Sequence, residues 1–148
     1  MIIWSVEVRQ KKILIFLMIL ISLTAMQIFA ASQEDVERAT EKAMNYRLDI
    51  KNCPTLQEVA EKQLVDIRWS NPGGGDQNYC FVRLTGFQKN HEFFSVIFRY
   101  DVESEKLEAY SVRRGAKETF KIDEVQRQLL RFYATESMEV WQVLKKLK

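Results

Sequence analysis

Residues 79–102 read YCFVRLTGFQKNHEFFSVIFRYDV. From Tyr79 to Phe87 the side chains alternate: Cys80, Val82 and Leu84 fall on one face, Tyr79, Phe81 and Arg83 on the other. That is the period of a half-buried strand, not of a helix. Gln88-Lys89-Asn90 is a turn signal, and from His91 to Val102 the alternation resumes with Phe94, Val96, Phe98 and Tyr100 on the core face. Two strands joined by so short a turn run antiparallel. This hairpin decides the fold, because the same pattern extends from both of its ends. Upstream, Val65, Ile67 and Trp69 alternate with Asp66, Arg68 and Ser70, followed by the loop Asn71-Pro72-Gly73-Gly74-Gly75-Asp76. Downstream, Glu103-Ser104-Glu105 turns the chain into a strand over Leu107 to Arg113, and Lys117 to Ile122 reads as a short fifth strand. The result is a four- to five-stranded antiparallel meander.

Helical patterns flank the meander. Ser32 to about Lys51 carries Val36, Ala39, Ala43, Tyr46, Arg47 and Ile50 at helical spacing, with Ser32 as cap and Asp35 as an imperfect capping-box partner. Thr55 and Glu58 form a T-x-x-E box ahead of Leu56, Val59, Ala60 and Leu64. Asp123 with Gln126 resembles a further helix start, and Val125, Leu129, Phe132 and Tyr133 line one face. Val140, Leu144 and Leu147 continue that period, with a potential break at Thr135 to Ser137. Helices, then an antiparallel sheet, then a C-terminal helix make an α+β fold. Its element order is loosely similar to cystatin-like or NTF2-like arrangements, in which a helix lies across a curved sheet; such a likeness bears on fold alone.

Ahead of this domain lies a different kind of segment. Ile13 to Ala31 is nineteen residues without a charge, preceded by Arg9, Lys11 and Lys12 and ending in Ala30-Ala31-Ser32. Basic, apolar and then small residues are the layout of a secretory signal peptide. Cleavage after Ala30 places Ile28 at the −3 position, whereas cleavage after Ser32 places the smaller Ala30 there. The alternative is an uncleaved anchor, since nineteen helical residues at about 1.5 Å each nearly cross a bilayer core of about 30 Å. Either way the basic flank stays inside and the remainder is exported, to the periplasm or the medium, or tethered with its C-terminus outside. Residues 1–31 are thus read as signal or anchor and 32–148 as one α+β domain. The first 30 residues hold three of the 22 basic and one of the 20 acidic residues, leaving 19 of each. A neutral domain lacks the field that drives non-specific nucleic-acid binding. In an oxidising compartment Cys53 and Cys80 are expected to pair. The bond closes a loop of about 28 residues, worth about 3–4 kcal/mol by chain entropy.

Catalytic motifs are weak. The Gly73–Gly75 loop joins two strands and lacks the Gly-Lys-Ser/Thr and following helix of a phosphate loop. His91 is the sole histidine, so the two thiols cannot complete a tetrahedral metal site with it. A Cys80–His91 nucleophile pair is conceivable on adjacent strands, but Cys80 shares a face with Val82 and Leu84, which argues for burial. Glu103/Glu105 and Asp123/Glu124 are explained by turns and helix starts. Arg113, Arg114 and Lys117 form a compact basic cluster able to hold an anion. The second face of the middle strands carries Tyr79, Phe81, Phe87, Phe93 and Ile97, which become an exposed aromatic patch if helices cover only the Cys80/Phe94 side. The expected function is therefore a non-enzymatic, exported module that binds another protein, of inhibitor or immunity type, with no cofactor, metal or nucleic acid and with membrane contact only through an uncleaved leader. The alternative is a small-ligand carrier or small enzyme with a pocket between helices and sheet, into which Arg68, Arg83, Arg99 and His91 would point.

Overall fold

The computed structural model describes residues 12–18 and 30–147. The chain divides into two units, Met1–Ala30 and Ala31–Lys148. In the first, residues 12–18 are helical and exposed. The rest of the expected leader lies outside the described residues. Among the described residues no helix is long and apolar enough to cross a membrane.

The second unit is α+β. Helix α1 (Gln33–Met44) and helix α2 (Leu56–Gln63) precede strands β1 (Leu64–Ser70), β2 (Tyr79–Gln88), β3 (Phe93–Asp101), β4 (Leu107–Arg114) and β5 (Lys117–Thr119), and helices α3 (Ile122–Ala134) and α4 (Met138–Lys146) follow. The sheet is an antiparallel meander in the order β1-β2-β3-β4-β5.

Local chemistry sets the helix ends. Ser32 Oγ accepts from the Asp35 N–H at 3.1 Å and the Ser32 N–H donates to Asp35 Oδ2 at 3.3 Å, so the box at α1 is complete. Thr55 and Glu58 close the same box on α2, and the two hydrogen bonds from Thr55 hold the Glu58 carboxyl below the usual range. The first helix is shorter than its pattern predicts. It stops at Met44, where the Asn45 side chain folds back onto the Glu41 carbonyl and the Tyr46 N–H turns to the Ala43 carbonyl. Tyr46, Leu48 and Ile50 still reach the core, from a loop instead of a helix. At the other end β5 stops at Thr119 instead of Ile122: Phe120 and Lys121 link it to α3, which has Lys121 as N-cap and no side-chain cap, so Asp123 lies in its first turn. Ser137 caps α4, so the expected break between the two C-terminal helices is present.

Within this unit α1, α2 and α3 pack on one face of the sheet, and α4 packs against α3. Ala39 and Ala43 let α1 approach the strands closely, and α3 presents Val125, Leu129, Phe132 and Tyr133, all buried. They meet Cys80, Val82, Leu84, Phe94, Val96, Phe98, Tyr100 and Val112. Phe132 stacks on Phe94 with ring centroids 4.1 Å apart, and Tyr46 packs on Phe98 at 4.9 Å. Gly86 suits this close approach, because a Cβ would meet the Leu64 side chain at 3.0 Å and the Val65 carbonyl at 3.1 Å and push β1 outward by a few tenths of an ångström.

Two bulges correct the simple alternation. Between Val65↔Phe87 and Arg68↔Thr85 two residues oppose one, with Asp66 at φ 54°. Val65 therefore points away from the helices, 54% exposed, while Ile67 and Trp69 turn inward. On β4 the register passes from Ile97↔Ser111 to Phe98↔Ala109, which leaves Tyr110 as the extra residue.

Burial ranks the aromatic residues by their worth to the fold. Phe98→Ala, at a fully buried position, is expected to cost about 3–5 kcal/mol. Phe120→Ala, 58% exposed, is expected to change stability by less than about 0.5 kcal/mol. Urea denaturation of the two variants measures both.

Candidate functional site

The face of the sheet that points away from the helices gathers the candidates. Cross-strand pairing puts Tyr79 beside Asp101, Phe81 beside Arg99, Arg83 beside Ile97, Thr85 beside Ser95 and Phe87 beside Phe93. All five expected patch residues, Tyr79, Phe81, Phe87, Phe93 and Ile97, thus share this outer face. The bulge at Tyr110 adds to it. Tyr79, Phe81, Tyr110 and Phe120 form a continuous aromatic row with successive centroid separations of 5.6, 5.2 and 5.6 Å. Phe87 and Phe93 make a second cluster at 5.6 Å. Arg99 lies over the Tyr79 ring at 4.5 Å and Arg113 over Phe93 at 5.7 Å. Phe87, Tyr110 and Phe120 are 41%, 44% and 58% exposed, and among the described residues of this unit no helix covers them. Tyr110 and Phe120 were not marked by the sequence pattern. Tyr110 is placed by an unpaired bulge residue, and Phe120 lies in the link between β5 and α3, where no period applies.

Between the aromatic clusters the face is polar and cationic. Arg68, Arg83 and Arg113 stand among Ser70, Thr85, Ser95 and Ser111, and Arg83 Nε donates to Ser70 Oγ at 3.4 Å. Among the described residues no carboxylate lies within ion-pairing distance of Arg68, Arg83, Arg99 or Arg113. The three arginines expected to point into a pocket between helices and sheet, Arg68, Arg83 and Arg99, therefore face the opposite way, because their positions in the ladder pair with outer-face residues.

The expected basic cluster is split. Arg113 lies on the outer face and its Nε donates to the Gly115 carbonyl at 3.2 Å. Arg114, one residue on, points to the helix side, where its guanidinium approaches the Phe94 ring at 6.0 Å. Arg114 and Lys117 line a cavity of about 230 Å³ with Glu92, Val112, Thr119, Glu124 and Gln128. Gln128 Nε2 donates to Glu124 Oε1 at 2.8 Å, and this amide, followed by nearby Arg127 and Lys117, holds the Glu124 carboxyl below its usual range.

The expected disulfide is not formed. Cys53 and Cys80 are free thiols, both buried. Cys80 Sγ sits 4.0 Å from the Asp35 carbonyl, in the first turn of α1. Cys53 belongs to the loop beyond the other end of that helix, where Arg47 Nη1 donates to its carbonyl at 2.6 Å. Asp35 and Met44 are about 14 Å apart along the helix axis, whereas a disulfide requires Cα atoms within about 7 Å. Burial pushes both thiols up, and Asp35 adds to this at Cys80. The Cys80–His91 pair fails on distance. Cys80 opens β2 and His91 lies in the turn beyond its far end, a separation of about 23 Å or more over seven strand residues from Cys80 to Phe87. His91 is exposed, at φ 65°.

The carboxylate pairs have structural work. Glu105 meets Arg38 at 3.4 Å and Lys42 at 3.5 Å, tying the β3–β4 turn to α1. Asp76 Oδ1 accepts from the Asn78 and Tyr79 N–H groups and closes the glycine loop as a hairpin connection. Among the described residues no group of three or more His, Cys, Asp or Glu is placed to hold a metal ion. No protein-family model, curated protein or solved structure matches this chain.

The buried thiols and phenols dictate a pH response. Burial also raises Tyr46 and Tyr133, so in all four groups the folded chain favours the protonated form. The unfolded chain then releases its protons first, and stability is expected to fall as pH rises above about 8.5, the ordinary thiol value. The urea midpoint should drop between pH 7.5 and pH 10 by any amount above scatter, and a Cys53→Ala/Cys80→Ala double variant should show a shallower fall.

Proposed function

We propose that the chain is an exported, non-catalytic module that captures another protein on the outer face of its sheet. The observation that carries this reading is the aromatic row Tyr79–Phe81–Tyr110–Phe120 on a face that no helix of the folded unit covers. An aromatic surface flanked by arginines has the composition of a protein interface, and the carboxylates on this face, Glu118 beside Arg113 and Glu108 beside Arg99, lie on β5 and β4. The unpaired Arg68, Arg83 and Arg113 favour a partner that offers carboxylates beside its apolar side chains. Chemistry on the cysteines is disfavoured by their burial and protonation.

Export rests on the leader pattern. The capping box bears on where cleavage falls. Cutting after Ser32 removes the cap of α1, a loss of about 1 kcal/mol, together with Ala31, which packs against the core. Cleavage after Ala30 keeps both and coincides with the start of the folded unit. This favours the Ala30–Ala31 bond over the Ser32–Gln33 bond preferred by side-chain size alone.

Two measurements test the reading. Mass spectrometry of the exported protein should find Ala31 as its first residue; a full-length chain in the membrane fraction moves the account to the anchored form, and one in the cytosol contradicts export. Photoreactive benzoylphenylalanine in place of Phe81 or Tyr110 should give one discrete protein adduct in cells. The same probe at exposed Glu61 on α2 should give none. Equal adducts at all three positions, or none on the sheet face, contradict the docking assignment.

A further inference from the structure

The C-terminal hairpin of α3 and α4 carries an inference that is independent of the outer sheet face. Helix α4 packs on α3 through buried Val140. At about 100° per residue, Met138, Trp141 and Lys145 share the stripe that points away from Val140. Met138 and Trp141 are 65% and 41% exposed, and Leu147, just beyond the helix, is 61% exposed. Lys145 Nζ lies over the Trp141 ring at 3.8 Å. Beside this stripe, Arg127 and Arg131 of α3 join Leu144 and Leu147 in lining a cavity of about 250 Å³. Among the described residues Arg131, Lys145 and Lys146 have no carboxylate within ion-pairing distance, and Arg127 has Glu124 alone, at 3.1 Å. The other carboxylates of the hairpin lie toward its ends: Asp123 in the first turn of α3, Glu136 paired with Lys62 at 3.7 Å, and Glu139 held by the Ser137 hydroxyl at 3.2 Å.

The core of a protein interface is depleted in lysine, whereas lysine and arginine beside tryptophan and leucine are the composition of a helix lying in the interfacial layer of a bilayer. The leader pattern brings the chain to a bilayer in either of its forms. We infer that α4 and the adjoining edge of α3 rest on an anionic phospholipid surface, with Trp141, Leu144 and Leu147 among the headgroups and lipid phosphates on Arg131, Lys145 and Lys146. A phospholipid meets both halves of the cavity lining at once, phosphate against guanidinium and the glycerol and first acyl carbons against the leucines. This membrane contact is distinct from the leader. The charge count of the domain hides it, because 19 basic and 19 acidic residues cancel while unpaired cations gather on this side of the hairpin.

The test mixes the full chain with vesicles of phosphatidylglycerol or of phosphatidylcholine, each holding a trace of a diazirine-bearing phospholipid, and maps the photoadducts by mass spectrometry. Adducts on residues 13–31 report insertion of the leader in both lipids and set the scale. On that scale, adducts on residues 138–147 are expected to be at least about fivefold more abundant in phosphatidylglycerol. A Lys145→Gln/Lys146→Gln variant, changed only at exposed positions, should lower that excess about fivefold or more. Arg113→Ala, on the outer sheet face, should leave it unchanged. Equal adducts on residues 138–147 in the two lipids, or none there while the leader is labelled, overturn the assignment. So does benzoylphenylalanine at Trp141 giving a discrete protein adduct and no lipid adduct in cells, the behaviour of a protein-docking helix.

Discussion

The structure depends on sealing one face of its sheet. Phe132 of α3 stacks on Phe94 of β3 with planes only 11° apart, and the adjoining Tyr133 hydroxyl donates to the Tyr46 carbonyl at 2.9 Å. The second of these contacts joins segments 87 residues apart in sequence, and together they hold α3 and the loop after α1 on the same side of the strands. Such an arrangement satisfies a buried phenol and closes the core in one step. It also uses up the helices. With α1 and α3 both on the Cys80/Phe94 side, no helix among the described residues of this unit covers the other.

The open face is then shaped by the bulges. Alternation from Leu107 already faces Tyr110 outward with Glu108; the bulge keeps Ser111 on that face as well and returns Val112 to the core. The Tyr110 ring bridges Phe81 and Phe120. At β1 the bulge at Asp66 sends Val65 outward beside Phe87 while keeping Ile67 and Trp69 inside, where Trp69 Nε1 donates to Gln57 Oε1 at 2.9 Å. Bulges of this kind commonly re-aim side chains next to functional surfaces. They cost ladder pairing, and here each resets which residues beyond it face the helices, Ile67 on β1 and Val112 on β4.

Much of this was legible from residue periodicity. Alternation from Tyr79 to Tyr100 marked the inner and outer faces correctly, and Ser32 and Thr55 announced helix starts through hydrogen bonds that need only neighbouring residues, whereas Asp123 lies within α3 and caps nothing. What escaped were features decided by non-local contacts. Tyr46 leaves the helical path because Phe98 and Tyr133 hold it in a loop. Val65 parts from Ile67 because Gly86 admits β1 so closely at that point. Arg113 and Arg114 look like one basic cluster, but consecutive strand residues point to opposite faces, so one joins the aromatic side and the other lines the cavity. The cysteines are unpaired for a related reason: sequence spacing permits the loop, but Cys80 sits beside the first turn of α1 and Cys53 in the loop that follows its last.

The account comes down to one-sided burial, with an aromatic sheet face kept for a protein partner. Hydroxyl-radical footprinting of the chain in its native compartment, compared with the purified protein, tests this most directly. It reads the solvent access of Tyr79, Phe81, Phe87, Tyr110 and Phe120 side by side with that of exposed His91. The account predicts strong oxidation of all these residues in the purified protein and selective protection of the five sheet-face aromatics in place. Equal labelling of that face in both states would contradict it.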